Sequence, residues 1–244
     1  MESILFQDLG NVAYDVAWDY QETLMKASLE AKAQWYNSPE LDRVQGPDTK
    51  HHLLFCEHPH VYTLGKSGHI ENLLVNNAML QELNVSFFKT NRGGDITYHG
   101  PGQIVGYPIL DLERFITDLG KYMRNLEEVM IRMLAHYGIV AGRLEGSTGV
   151  WLDADIKGKA RKICAMGVRC SRWVTMHGFA LNVNTDLNYF NYIVPCGITD
   201  KSVTSMQKEL GRVIDEQEVK DRLIAEFGQV FGADMVIQRK KELV

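Results

Sequence analysis

Arg92-Gly-Gly-Asp-Ile-Thr-Tyr-His-Gly-Pro-Gly-Gln103, running on through Ile104-Val-Gly-Tyr-Pro-Ile-Leu110, is the stretch around which the rest of the chain is read. Glycine is used where backbone turns tightly or comes close to another group. The apolar run from Ile104 to Leu110 has the length and composition of a covered strand. Arg92, Thr97, Tyr98 and His99, gathered with glycines at the mouth of such a strand, suggest the wall of a site where a ligand meets backbone N–H groups. A glycine-rich hairpin with a structural arginine is the plainer alternative, since a lone glycine motif is weak. Two further unusual segments weigh against it: Lys162-Ile-Cys-Ala-Met-Gly-Val-Arg169 and Pro195-Cys196-Gly197.

Upstream, residues 11 to 34 read as a helix with Ala13, Ala17, Tyr20 and Leu24 at helical spacing. Residues 38 to 50 are loop-like. His51 to Phe55 and Val61 to Leu64 are short strand candidates, separated by the turn Glu57-His-Pro-His60. Gly65-Lys-Ser-Gly68 resembles a fragment of a phosphate loop, but the full pattern is absent and no nucleotide is assigned to it. The spacing predicts a short helix over Leu73 to Leu83 and a strand from Val85 to Lys89 that delivers the chain into the glycine stretch. Downstream, a helix is expected at 121 to 137, with Leu126, Val129, Met130, Met133, Leu134 and Tyr137 on its apolar face and Gly138 ending it. Strands are expected at Gly149 to Leu152, Ile163 to Val168 and Trp173 to Val183, and a loop at Asn182 to Asn191. A last helix covers 216 to 231, with Asp215 as N-cap. Helices near both ends and irregularly spaced strands between them predict an α/β (α+β) fold, a mixed sheet flanked by helices and not doubly wound, in a single domain over residues 1–244.

The chain has 244 residues, 45% hydrophobic and 23% charged, an ordinary globular composition. Its net charge of -5 gives no global basic field for nucleic acid. No stretch has the apolar length of a membrane span, and the first residues lack the pattern of a signal peptide. Four cysteines without metal-type pairing read as reduced thiols of a cytoplasmic protein. Cys164 and Cys170 fall on one face of a strand pattern and, with Cys56, read as structural. Their spacing is not a zinc signature, so no metal is expected.

Cys196 is the exception. Proline fixes the backbone ahead of it and glycine removes bulk behind it, which would present the thiol at an open turn. A thiol has a reference pKa of about 8.5, so a nucleophilic cysteine needs a cation or base beside it. His58, His99, His177 and Lys162 are the candidates. Lys162 opens an apolar strand-like run, and partial burial would equip it to stabilise a thiolate or to handle protons. Six basic residues, Lys157, Lys159, Arg161, Lys162, Arg169 and Arg172, follow one another with no acid between them. They form either a docking patch for an acidic protein or a solvated face.

Taken together, Glu57-His-Pro-His-Val-Tyr-Thr-Leu-Gly65, Arg92 to Gln103, Lys162 to Arg169, His177-Gly-Phe-Ala-Leu-Asn-Val-Asn184 and Pro195-Cys-Gly-Ile198 resemble the lipoyl(octanoyl) transferase family, in family order over roughly residues 55 to 200. The resemblance implies the fold of the biotin and lipoate protein ligase catalytic domain. It implies an acyltransferase that moves an octanoyl group from octanoyl-acyl carrier protein to the lipoyl-domain lysine of 2-oxoacid dehydrogenases and of the glycine cleavage H protein, without a cofactor. It further implies a Cys196–Lys162 dyad. The acyl pocket it implies is formed by Arg92, Gly93, Gly94, Asp95, Ile96, Thr97, Tyr98 and His99, by Ala165, Met166 and Gly167, and by Gly178, Phe179 and Ala180. Neither nucleic acid nor membrane is an expected partner. Thioester exchange followed by amide formation needs a thiolate and no ATP, in keeping with the incomplete phosphate loop. The six CH₂ groups that octanoyl has beyond acetyl are worth roughly 5 kcal/mol if all are buried, so chain length should be read by pocket depth. The rivals are an ATP-dependent lipoate or biotin ligase, a relative that moves octanoyl between lipoyl domains (against which the Pro-Cys-Gly setting of Cys196 argues), a non-catalytic binder of acyl carriers, and a Cys–His hydrolase using His99 or His177.

Overall fold

The structure, a computed structural model, describes residues 2–39, 46–194 and 202–238. In chain order its elements are β1 (Glu2–Asn11), α1 (Tyr14–Asn37), β2 (His51–Glu57), β3 (Val61–Leu64), α2 (Asn77–Glu82), β4 (Ser86–Lys89), β5 (Ile96–His99) and β6 (Gln103–Ile109). There follow α3 (Leu119–Ala135), β7 (Gly142–Leu144), β8 (Ser147–Leu152), β9 (Arg161–Ser171), β10 (Val174–Asn182), β11 (Ser202–Val203), α4 (Met206–Leu210), α5 (Glu216–Phe231) and β12 (Ala233–Ile237).

The large sheet runs β12-β1-β2-β6-β10-β9-β8-β7, with β11 added beside β9, and a small sheet runs β4-β3-β5. β1 is parallel to β12 and β2, and β11 is parallel to β9; the other pairs of the large sheet are antiparallel. The mixed sheet is therefore as expected.

Side-chain alternation buries both faces of its centre. On β2, Leu53 and Phe55 join the core under α3 and α5, while Leu54 and Cys56 join the core under α1. All of β6 is buried, which explains the uninterrupted apolar run that marks it in the sequence. Gly106 sits at its middle because any Cβ there would lie 2.0 Å from the ring of Phe179 on β10.

α3 buries Tyr122, Leu126, Val129, Met130, Met133 and Leu134, with Asp118 capping its N-terminus. α5 matches its expected span, and Asp215 accepts from the N–H groups of Gln217 and Glu218. α1 differs from the reading. Its buried stripe is Tyr14, Ala17, Gln21, Met25, Ser28 and Lys32, half of it polar. That face meets polar groups: Gln21 Oε1 accepts from the His177 N–H at 2.9 Å, and Lys32 pairs with buried Asp111 at 2.6 Å. The helix expected over 73–83 shrinks to α2, because Leu73 instead bridges to Ile193. The loop expected at 182–191 contains a 3-10 turn, Leu187–Tyr192. The hairpin between β9 and β10 turns on Arg172 and Trp173, both at positive φ. A two-residue turn of that kind favours Asn-Gly, so its sequence signal is missing here.

The six basic residues do not form one patch. β9 extends the run over 11 residues, so its ends lie roughly 30 Å apart. Arg161 is engaged by Glu209 and Asp153, and Arg169 by Glu22.

Candidate active site

A cleft of about 530 Å³ opens where the small sheet meets β9 and β10. That is the size of a small-molecule site. Arg92, Gly93, Gly94, Asp95, Ile96, Thr97 and His99 line one wall. Ala165, Met166 and Gly167 of β9 and Gly178, Phe179 and Ala180 of β10 line the other, and Lys162 is also among the lining residues. Of the sequence-based pocket set, Tyr98 alone lies off the wall. It is buried under the small sheet, with its hydroxyl 2.7 Å from His60 Nδ1. Cys196 lies outside the described residues.

The register explains why two remote segments act together. Ala165 stands opposite Ala180, and Gly167 opposite Gly178. Residues two apart share a face, so four small residues form a flat patch on neighbouring strands. The Arg92 loop closes down on it, and the Gly93 N–H donates to Val168 O at 2.9 Å. A Cβ on Gly167 would come within 2.6 Å of the Gly93 carbonyl oxygen. Gly167→Ala should therefore push the loop off the patch. We expect it to cost about 1–3 kcal/mol of stability, as overpacking does. Thermal melts would show that loss, and a variant that melts as the wild type does would show that the loop has room to shift.

The same loop is braced from below. Gly65, Lys66 and Ser67 donate their N–H groups to the carbonyls of Asp95, Arg92 and Gly94, and Gly68 donates to Gly65. The turn that resembles a phosphate-loop fragment thus spends its N–H donors on the glycine stretch and has none of these left to cradle a phosphate. Arg92 Nη2 donates to Thr63 O at 2.7 Å and to its Oγ1 at 2.9 Å, and Nη1 donates to Gly93 O. Asp95 accepts from its neighbour Ile96 N–H and from Asn72 Nδ2, each at 2.7 Å. Of the glycine N–H groups expected to meet a ligand, Gly93 is committed to Val168, and Gly102 to Glu57.

The histidines proposed as bases are poor ones. His99 Nδ1 donates to Gln103 Oε1 at 2.8 Å, and Gln103 Nε2 in turn donates to Tyr98 O and Asn182 Oδ1. Burial, with a smaller push from His58, lowers the His99 pKa to about 3. His177 also falls to about 3, through burial and then Arg92 and Arg169, and its Nε2 faces Asn91 Oδ1 at 2.7 Å. His58 is buried away from the cleft, between Val12 O and the Tyr107 hydroxyl, and falls to about 4 through burial. A Cys–His hydrolase is therefore disfavoured. The thiols of Cys56 and Cys164 are fully buried and pushed up by that burial, as befits structural cysteines.

These neutral histidines also set the acid response. Above the unfolded pKa of about 6.5 neither state is charged. Below it the unfolded chain takes up protons that folded His58, His99 and His177 refuse until about pH 4 to 3. Stability is thus fully present above pH 6.5 and falls below it, by roughly 1.4 kcal/mol per pH unit for each such group. Urea midpoints should drop steeply between pH 6.5 and 4.5; a flat profile there would contradict neutral burial.

Sequence reasoning missed the contributions of Tyr14, Tyr107, Ser147 and Met123 to the cleft. Tyr14 follows a strand the reading omitted, and Met123 belongs to a helix read only as core. Lys162, by contrast, is where the reading puts it. It is half-buried on β9, and its carbonyl accepts from the Thr204 N–H at 2.9 Å. β11 lies parallel to it, with Val203 opposite Lys162. On the other side, the Val194 N–H donates to Asn72 O, and Asn72 holds Asp95 at the cleft.

A mixed sheet with a glycine-braced cleft of ligand size defines an α/β small-molecule-binding domain, and the chain belongs to the lipoyl protein ligase A/B catalytic domain family, which it matches over residues 13–228. Within that family it is 58% identical to an octanoyltransferase of Flavobacterium johnsoniae over 96% of this chain and 99% of the relative. It is 55% identical to an octanoyltransferase of Cytophaga hutchinsonii over 94% of this chain and 93% of the relative. Its fold is similar to a lipoate-protein ligase A bound with ATP, with a TM-score of 0.67 at 16% identity, covering 100% of this chain and 90% of that one. A bipartite lipoate protein ligase from Thermoplasma acidophilum also gives 0.67, at 17% identity, covering 100% of this chain and 88% of the other. No helix among the described residues is long and apolar enough to cross a membrane.

Proposed function

We propose that the chain is an octanoyltransferase that carries the acyl group on Cys196 and delivers it to a lysine of lipoyl-domain proteins, with octanoyl-acyl carrier protein as donor. The observation that carries this reading is the cleft whose wall joins the Arg92 loop, the small residues of β9 and β10, and Lys162. The chain leaves the described residues at Val194, tied to the cleft through Asn72 and Asp95, and returns at Ser202, whose neighbour Val203 stands opposite Lys162. Val203 lines the cleft, and Val194 is two hydrogen bonds removed from Asp95 on its wall, which supports the reading that Cys196 serves this site.

In the first half-reaction the Cys196 thiolate attacks the donor thioester carbonyl. The bond to the carrier sulfur breaks, the carrier leaves as a thiolate, and it takes up a proton. In the second half-reaction the lipoyl-domain amine attacks the Cys196 thioester. An amide forms, the Cys196 thiolate departs, and the amine loses its proton. Lys162 stabilises both thiolates as a cation and passes these protons. The braced backbone holds the acyl chain in reach without reorganising at each turnover. An ATP-dependent ligase is the weaker reading, because the turn at Gly65 to Gly68 spends its donors internally.

The test is the intact mass of the protein after exposure to octanoyl-acyl carrier protein without ATP. A gain of one octanoyl group, discharged by an apo-lipoyl domain, is expected. Transfer that occurs only with ATP and free octanoate would replace this reading with a ligase.

A further inference from the structure

Lys162 has a support on the neighbouring strand. Trp151 of β8 stands opposite Lys162 in the register, is 2% exposed, and places its ring centroid 4.6 Å from Lys162 Nζ. An ammonium over an aromatic face is attracted by the ring quadrupole, and indole is the strongest such face. The geometry that sets this pair is built in. The β8–β9 register shifts between Val150 and Trp151, a bulge of the kind that re-aims a side chain. Gly149 precedes the shift with φ +115, and a Cβ on it would lie 2.6 Å from Cys164 O and 3.5 Å from Lys162 Cε. Its N–H donates to Glu127 Oε1 at 3.0 Å. Glu127 is a fully buried carboxylate of α3 that Arg124 and Arg143 hold at 2.8 and 3.1 Å. The indole N–H donates to Ser147 O at 3.3 Å, which fixes the ring plane.

We propose that Trp151 is a positioning residue for acyl transfer: its indole face, aimed by the bulge that Glu127 clamps at Gly149, holds the Lys162 ammonium at the cleft wall. Trp151 does not line the cleft, so it acts through Lys162 and not on the substrate. The inference rests on the proposed role of Lys162.

Trp151→Leu removes the face and Trp151→Phe keeps a weaker one. The leucine variant should acylate Cys196 roughly five- to thirtyfold more slowly. KM for the carrier should be unchanged, and the phenylalanine variant should keep most of the rate. The Lys162 ε-methylene resonance, displaced by the indole ring current in the wild type, should return to an ordinary lysine position in the leucine variant. Fluorinated tryptophans placed at position 151 keep the shape and weaken the face stepwise, so the rate should fall with each added fluorine. A leucine variant that melts and reacts as the wild type does would reduce Trp151 to filling space. Should that variant fail to fold, a flat rate across the fluorinated series would overturn the proposal instead. If Lys162→Ala keeps full rate, the role of Lys162 has failed, and the resonance still reports whether the indole holds the ammonium.

Discussion

Replacing Cys196 with alanine should lower octanoyl transfer by at least about 10⁴-fold, as loss of a covalent nucleophile does. The uncatalysed route, direct attack of the lipoyl-domain amine on the carrier thioester, remains open to the variant. Positioning in the cleft would still assist it, so the residual rate should exceed that in free solution. The acyl-enzyme mass should vanish altogether, while binding of octanoyl-acyl carrier protein stays within a few fold, because the substitution leaves every described residue that lines the cleft between the Arg92 loop and β9–β10 unchanged. Cys196→Ser is the finer probe: its hydroxyl is far less acidic than a thiol, so the cation proposed for Lys162 could not make it an alkoxide near neutral pH. An alanine variant that turns over within tenfold of the wild type would end the thioester mechanism.

Lys162→Ala should cost about 10²–10⁴ in turnover, the range of a positioned proton-handling group. Its backbone contacts, to Thr204 and to the paired strands, survive the substitution, so the fold should hold. The loss should fall on kcat and leave KM for the donor nearly unchanged. Alkylation of Cys196 by iodoacetamide should move to higher pH once the cation is gone. Lys162→Arg separates two roles, since arginine keeps the charge and does not release a proton. Retained alkylation with lost turnover would assign Lys162 to proton transfer; retention of both would assign it to charge alone. A Lys162→Ala enzyme with wild-type turnover would remove the lysine from the mechanism.

Local signals were legible where one element answers to one periodicity. α3 and α5 show a 3.6-residue apolar face because each covers the sheet on one side. β6 shows an unbroken apolar run because both its faces are covered. α1 was legible as a helix, but its buried face was not, because polar partners on β10 and beyond β6 let Gln21 and Lys32 be buried. β1 and β12 were missed. They pair in parallel across more than 220 residues of chain, Glu2 with Ala233, at the edge of the sheet. Neither shows the full alternation of buried and exposed residues that would mark it.

The site divides in the same way. The sequence alone determined which short segments are unusual, because glycines at close approaches, a lysine opening an apolar strand and a cysteine between proline and glycine each stand out in their own few residues. Only the tertiary structure decided what those segments do to one another. It laid the Arg92 loop over Gly167, set Gly167 against Gly178, and spent the Gly65 turn on bracing the loop. It also put Trp151 beneath Lys162 and broke an apparent basic patch along the length of β9. The physical reason is range. Propensity and periodicity act within a few residues, whereas register, burial and hydrogen-bond commitment are settled by strands that meet only once the chain has folded.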